Sequence, residues 1–213
     1  EWNAFKRYMI LGMGGILMSC EWIYWETLSL MIGTLGVVPL SVHTVPTQCM
    51  TVCFMIPLGC GIALAIRMGH TLPAFHGGVR QAQILAASTF GVCAVVFGVV
   101  AVCMYHWRYG IYRIFLNPQL EPAVWKGCDQ IWHYVVFFYF NLSMFGINLG
   151  IATGLGMQWT LGLVTVVFLW ILGFPAAWYA ATTKMKEMVQ THPDTDGTEA
   201  LVAAWQWINP PYV

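Results

Sequence analysis

The stretch 20–26, Cys-Glu-Trp-Ile-Tyr-Trp-Glu, places two carboxylates inside an apolar run that extends from Tyr8 to Leu40. About 20 apolar residues are enough for a helix to cross a hydrocarbon layer about 30 Å thick. With a rise of about 1.5 Å per residue, Glu21 would lie roughly 20 Å from Tyr8 along such a helix. An acid near the helix centre costs roughly 2.5 to 3.5 kcal/mol, and such residues mostly face a polar cavity or a partner. We therefore expect Glu21 to mark an ion or substrate path.

The helical repeat places aromatic rings beside this acid. Tyr24 and Trp25 follow Glu21 by three and four residues, so both rings share its face. An organic cation would be attracted by the carboxylate and by the ring faces, which contribute about 0.5 to 2 kcal/mol when desolvated. Glu26 is rotated by about 140° from Glu21, at 100° per residue. We therefore interpret the two acids as separate sites.

Each candidate residue also has a structural interpretation. Glu21 can be neutral and hydrogen-bonded to a neighbouring helix, with the rings packed in the core or against lipid. Gln48 lies one turn inside the second apolar run, where it can face a cavity or satisfy another helix. Asp129 and His133 are four residues apart and face the same way, which suits either a proton relay or an interfacial structural pair.

Bulk composition defines the class of protein. Hydrophobic residues make up 59% of the chain, charged residues only 8%, and the mean hydropathy is +0.67. This predicts an all-α, multi-pass integral membrane protein embedded in the lipid bilayer. A net charge of zero and the lack of a Gly-rich phosphate loop argue against nucleic-acid binding and nucleotide chemistry. The seven cysteines show no metal-ligand spacing, and no nucleophile and base pattern occurs, so we expect no metal, no cofactor and no enzyme.

Five apolar runs predict the domain organisation. The expected spans are about 8–38, 45–66, 83–105, 127–152 and 160–181, which together form a transmembrane helical lobe over residues 1–181. Residues 182–213 read as a polar tail with a short interfacial helix at about 199–208. Pro57 and Pro175 predict kinks that can serve as hinges. Since the sequence starts at Glu1 without a methionine, we expect a processed, trimmed or fragmentary chain.

Several motifs occur in a characteristic order. They are Cys20-Glu21-Trp22 with Glu26, Met55-Ile56-Pro57-Leu58-Gly59, Arg67-Met68-Gly69-His70-Thr71-Leu72, Gly150-Ile-Ala-Thr-Gly154-Leu-Gly156-Met-Gln158 and Gly173-Phe174-Pro175. In order and spacing they resemble the multidrug and toxin extrusion (MATE) family of secondary transporters. The resemblance covers roughly residues 6–181 and corresponds to the seventh to eleventh helices, which open the carboxyl-terminal lobe.

The resemblance implies a function and a set of partners. It implies a lobe that joins a second lobe around a V-shaped cleft and exports organic cations or drugs in exchange for protons or sodium. Glu21 then matches the cation-site carboxylate, and Glu26 matches the second acid of the same helix. It also implies that the loop 67–80 is cytoplasmic.

The chain departs from the family pattern at several positions. Where the family has two further acids, this chain has Gln48 and, close to the second position, Leu142. Residues 70–75 replace the family's glycine-rich loop. Thr153 stands in place of the arginine of the tenth-helix motif. A twelfth helix is not visible in the sequence. Two hypotheses therefore stay open: a transporter lobe that needs a second lobe, and a transport-inactive, MATE-derived accessory subunit of a larger membrane complex.

Overall fold

A computed structural model of the chain describes residues 2–34, 36–73, 77–116, 122–191 and 201–202, and no strand occurs among them. The elements are α1 (Trp2–Met18), α2 (Cys20–Gly33), α3 (Val37–Thr71), α4 (Gly78–His106), α5 (Arg108–Phe115), α6 (Pro122–Gly154), α7 (Gln158–Thr165), a π-helical segment (Val166–Gly173) and α8 (Phe174–Thr191). The prediction of an all-α chain is confirmed.

Four segments of the described chain are long and apolar enough to cross a bilayer: Val37–Thr71, Gly78–His106, Pro122–Gly154 and Gln158–Thr183. The prediction of a multi-pass helical membrane protein is therefore confirmed. Where one span of about 8–38 was predicted, the structure has two helices that meet at Ser19. The Ser19 hydroxyl donates to the carbonyl oxygen of Gly15 at 3.0 Å, and the Ser19 N–H donates to the same oxygen at 3.1 Å. Such back-bonding by a serine often bends a helix.

The division into a transmembrane lobe over residues 1–181 and a polar tail over residues 182–213 stays a prediction. Helix α8 continues to Thr191, beyond the expected end of the membrane part at 181. Of the predicted interfacial helix at about 199–208, only Leu201 and Val202 lie within the described residues. Leu201 is fully buried and packs in the same apolar cluster as Trp132.

The closest helix contact joins α3 to α6 through glycines. A side chain at Gly150 would overlap the backbone of Gly61, and one at Gly61 would overlap the carbonyl group of Gly146. One turn further along, a Cβ atom at Gly154 would lie 2.9 Å from the Cβ atom of Met68. Small residues allow such close backbone approach in membranes, where dispersion contacts replace the hydrophobic driving force.

The two predicted kink positions differ in local structure. Helix α3 runs as one element through Pro57, which is buried. Before Pro175, by contrast, the chain forms eight π-helical residues, and the Phe174 N–H donates to the carbonyl oxygen of Leu169. Proline lacks an N–H, and its ring collides with the carbonyl four residues earlier, so a wider turn upstream relieves the clash. Their action as hinges stays a prediction.

Candidate functional site

A cavity of about 370 Å³ lies between α2, α3 and α6, and is called the central cavity below. Its α2 wall contains three residues that the sequence singled out, Glu21, Trp25 and Glu26. The expectation of separate sites for the two acids differs from this arrangement, because both line one cavity. On the regular helix α2 the two acids still lie about 140° apart, so the cavity extends part of the way around that helix.

The aromatic wall is held by ring contacts. The Trp25 ring meets the Phe138 ring of α6 edge to face, with centroids 5.1 Å apart. Trp22 also lines the central cavity, and its ring lies 6.2 Å from that of Phe54 on α3. Edge-to-face pairs of this kind favour one orientation over a stacked sandwich. The contact with Phe138 therefore fixes the Trp25 ring at the cavity wall.

Tyr24 lies on the part of α2 that packs against the π-helical segment. Its side chain is 4% exposed and is not among the residues that line the central cavity. The ring packs edge to face against Trp170 at 6.0 Å and Phe174 at 6.5 Å, in and next to the π-helical segment. It also meets the Trp25 ring at 5.2 Å. Tyr24 therefore supports the aromatic wall from behind.

Most of the α3 residues that line the central cavity are polar, and the sequence analysis identified only Gln48 among them. His43, Thr44, Thr47 and Thr51 also line the central cavity. The Thr44 hydroxyl donates to the Leu40 carbonyl at 2.7 Å, a back-bond that leaves hydroxyl lone pairs available. These residues recur every three to four positions along the second apolar run. This helical period of polar residues is a sequence signal that could have identified them.

The charge of the central cavity is acidic. Two carboxylates and one histidine line it, and no lysine or arginine is among the described lining residues. The α6 wall is apolar and consists of Leu142, Phe145 and Leu149. Within the described part of the chain, no group of three or more His, Cys, Asp or Glu residues could hold a metal ion. An anionic and aromatic cavity suits a cation with apolar substituents.

The structure places the predicted relay pair away from this cavity. The Asp129 carboxylate accepts a hydrogen bond from Nε of Arg108 at 3.0 Å. The Arg108 guanidinium lies 4.4 Å from the centre of the Tyr109 ring, and its hydrogen bonds with the Tyr109 hydroxyl and with Asp129 raise its pKa. The His133 ring lies 3.8 Å from that of Tyr134. Asp129 thus joins α5 to α6, and a relay through this pair stays a prediction.

Membrane-spanning helices around an anionic cavity define a polytopic integral membrane protein with an internal polar site. The sequence model of the MatE family matches residues 15–179, and the chain belongs to that family. The resemblance found in the motifs is therefore confirmed.

Several curated proteins are similar to the chain. Multidrug and toxin extrusion protein 1 of Danio rerio is 30% identical over 177 residues, which cover 82% of this chain and 28% of the relative. The protein of the same name from Oryctolagus cuniculus is 27% identical over 82% of this chain and 30% of its own length. Multidrug resistance protein MdtK of Yersinia pestis is 23% identical over 86% of this chain and 39% of its own length. This chain therefore spans between 28% and 39% of these relatives. No solved structure matches it significantly.

Proposed function

We propose that this chain is one lobe of a secondary active transporter that exports organic cations or drugs in exchange for protons or sodium. The observation that carries the proposal is the convergence of Glu21, Trp25 and Glu26 on one cavity between apolar helices. Membership of the MatE family and the names of the similar proteins support the same class. A non-enzymatic role fits this family.

The chemistry of the central cavity explains how one site serves two cations. In a medium of low dielectric a carboxyl group is favoured in its neutral form unless a cation neutralises its charge. Glu21 therefore alternates between a protonated state and a state paired with an organic cation. The faces of Trp22 and Trp25 add attraction for the substituted ammonium group. A cavity of about 370 Å³ falls within the size range of small-molecule pockets, about 300 to 1,000 Å³.

Transport requires a second unit. Alternating access is largely the rocking of one helical repeat against another around a fixed site. The chain spans at most 39% of the relatives above, so we propose that the cavity becomes a transport site only when a second lobe faces it. Bending at the π-helical segment before Pro175, and at Pro57, would open and close the cavity.

A second candidate is a transport-inactive accessory subunit of a larger membrane complex. One observation favours it: Gln48 and Leu142, where the resemblance leads us to expect acids, both line the central cavity. The cavity then carries two carboxylates, Glu21 and Glu26, where the family pattern would supply more. A cavity with less negative charge holds cations more weakly.

A flux experiment separates the two candidates. The whole protein, with its second lobe, is reconstituted in liposomes, and efflux of tetraethylammonium is driven by an imposed proton or sodium gradient. The transporter proposal predicts gradient-driven flux that is lost in Glu21→Gln and kept in Asp129→Asn, which removes an acid outside the cavity. Flux of wild type and Glu21→Gln that both stay at the level of empty liposomes would favour the accessory subunit, and equal flux above that level would overturn the role of Glu21.

A further inference from the structure

Four hydroxyl groups are among the described residues that line the central cavity. They belong to Ser29 on α2 and to Thr44, Thr47 and Thr51 on α3. Each of them donates its hydrogen to a carbonyl oxygen one turn earlier in its own helix. Because a hydroxyl group carries a single hydrogen, each of these side chains offers the cavity an acceptor oxygen and no donor.

Each back-bond also holds the hydroxyl hydrogen in place. The Thr51 oxygen lies 2.9 Å from the carbonyl oxygen of Thr47, and the Thr44 oxygen lies 2.7 Å from that of Leu40. If either group turned its hydrogen toward a ligand, two oxygen atoms would face each other at this distance with no hydrogen between them. The back-bond would also be lost. A ligand therefore gains more by donating to these oxygens than by accepting from them.

Acceptors predominate on the polar walls of the central cavity. The ionised carboxylates of Glu21 and Glu26 only accept hydrogen bonds, as the four hydroxyl groups do. The side-chain donors among the described lining residues are the Gln48 amide, the His43 ring and the indoles of the aromatic wall. A ligand that brings its own N–H groups therefore finds more partners here than a ligand without them.

Two contacts set the level of α2 relative to α3. The Nε2 atom of His43 lies 3.4 Å from the Ser29 hydroxyl oxygen, and the Trp22 ring lies 6.2 Å from the Phe54 ring. The earlier residue of α2 thus meets the later residue of α3, so the two helices run antiparallel. The part of α3 between these contacts consequently faces the part of α2 between them.

This register brings hydroxyl oxygens to the level of the acids. Thr47 and Thr51 lie between the two contacts on α3, and Glu26 lies between them on α2, while Glu21 directly precedes the Trp22 contact. All four side chains line the same cavity. A cationic nitrogen between the helices therefore meets carboxylates on one side and hydroxyl oxygens on the other.

We propose that the central cavity selects organic cations that carry N–H groups, namely protonated amines and guanidinium ions, over quaternary ammonium ions of similar size. The inference rests on the proposed function and names its class of substrate. The carboxylates on α2 take part of the N–H groups, and the remaining N–H groups donate to Thr47 and Thr51. A primary ammonium group has three such donors, and a quaternary one has none. Charge and ring faces attract both kinds of ion, so quaternary ions still bind, without these hydrogen bonds.

Two ligands isolate the contribution of the N–H groups. 2-Phenylethylammonium and its N,N,N-trimethyl derivative carry the same ring and the same charge, since an alkylamine is protonated at pH 7. They also differ in hydration and in methyl contacts. The quantity to compare between wild type and a variant is therefore the ratio of the two dissociation constants, in which the terms that belong to the ligands alone cancel.

Calorimetric titration of the whole protein in lipid nanodiscs with these two cations tests the inference. The Thr47→Val, Thr51→Val double variant nearly keeps the shape of both side chains and removes both acceptor oxygens. Since a hydrogen bond to a charged group contributes a factor of about ten or more, the preference for the primary ammonium should fall by about 10- to 100-fold. Thr27→Val is the matched control. Thr27 also donates to a carbonyl oxygen of its own helix but does not line the cavity, so the ratio should stay as in wild type.

The outcomes separate this inference from the proposed function. If wild type binds both cations saturably and Glu21→Gln binds neither, but the double variant keeps the wild-type ratio, the inference is overturned and the proposed function stands. If wild type binds neither cation saturably, both fail. Should the double variant not fold, Thr47→Val and Thr51→Val are measured singly. A lower preference for the primary ammonium in either variant supports the inference, and an unchanged ratio in both overturns it.

Discussion

Replacing Gly61 by alanine tests the contact on which the central cavity depends. Helix α3 carries the polar wall of the cavity and α6 the apolar wall, and the two helices meet through Gly61, Gly146 and Gly150. A methyl group at Gly61 would overlap the backbone of Gly146. The obstacle is main chain, so no side chain can rotate away and the helices must separate.

The expected cost follows from this geometry. Overpacking a close contact costs about 1 to 3 kcal/mol. For a chain of this size, each kcal/mol lowers Tm by about 2 to 4 °C on the scale of soluble proteins. Gly61→Ala should therefore lower Tm by about 2 to 12 °C. Separation of α3 from α6 should also weaken cation binding, because the cavity walls move apart.

Gly59→Ala is the matched control. Gly59 lies two residues away on α3, and a Cβ atom there meets no other atom within 4 Å. Alanine should be neutral or slightly stabilising at this position, since it favours the helix over glycine by up to about 1 kcal/mol. Unfolding of the purified protein in detergent can be followed by a thiol-reactive dye, because Cys93 and Cys128 are buried in the fold. Equal Tm values for Gly61→Ala and Gly59→Ala would refute the close-contact argument.

Two further predictions concern an aromatic wall residue and a buried tyrosine. Trp25→Leu should weaken the binding of tetraphenylphosphonium by about 0.5 to 2 kcal/mol, or roughly 2- to 30-fold, in a calorimetric titration. The control Trp107→Leu changes a ring that is 71% exposed and should leave the binding unchanged. Burial raises the pKa of Tyr112 in the folded protein above its value in the unfolded chain. The buried, protonated tyrosine therefore stabilises the fold at neutral pH, and this stabilisation is lost as pH rises above about 10, where the unfolded chain loses the proton first. Tyr112→Phe removes the hydrogen bond to the Cys128 carbonyl, so it should lower the free energy of unfolding by about 0.5 to 1.5 kcal/mol at neutral pH. In thermal melts at successive pH values, the variant should also lose less stability at alkaline pH than wild type. An alkaline loss as large in the variant as in wild type would contradict this.

The helical repeat accounts for the relative directions of the α2 side chains but not for their surroundings. Spacing along one helix gives the relative directions of side chains, which is why Glu21 and Trp25 appear together at the wall. It does not say which directions the neighbouring helices leave open. Tyr24 is only 100° from Trp25 by the helical repeat, yet Trp170 and Phe174, in and next to the π-helical segment, leave it 4% exposed, while the Trp25 ring reaches the cavity.

Other features lay beyond local pattern for different reasons. The helix break at Ser19 lies between two apolar segments, so the hydropathy of the sequence does not indicate it. The bond between Arg108 and Asp129 joins residues 21 positions apart in the chain, and depends on how α5 folds back onto α6. His43 was not singled out because a lone histidine in an apolar run gives no sequence signal. Its partner Ser29 lies on another helix.

The most direct test of the central claim is the position of a bound organic cation. Tetraphenylarsonium carries an anomalous scatterer, so crystals of the whole protein grown with it locate the ligand without reference to its shape. The account predicts an arsenic peak between α2, α3 and α6, beside Glu21 and the Trp25 ring, and no such peak in the Glu21→Gln, Glu26→Gln double variant. A peak elsewhere with the central cavity filled by lipid or side chains, or an equal peak in the double variant, would contradict it.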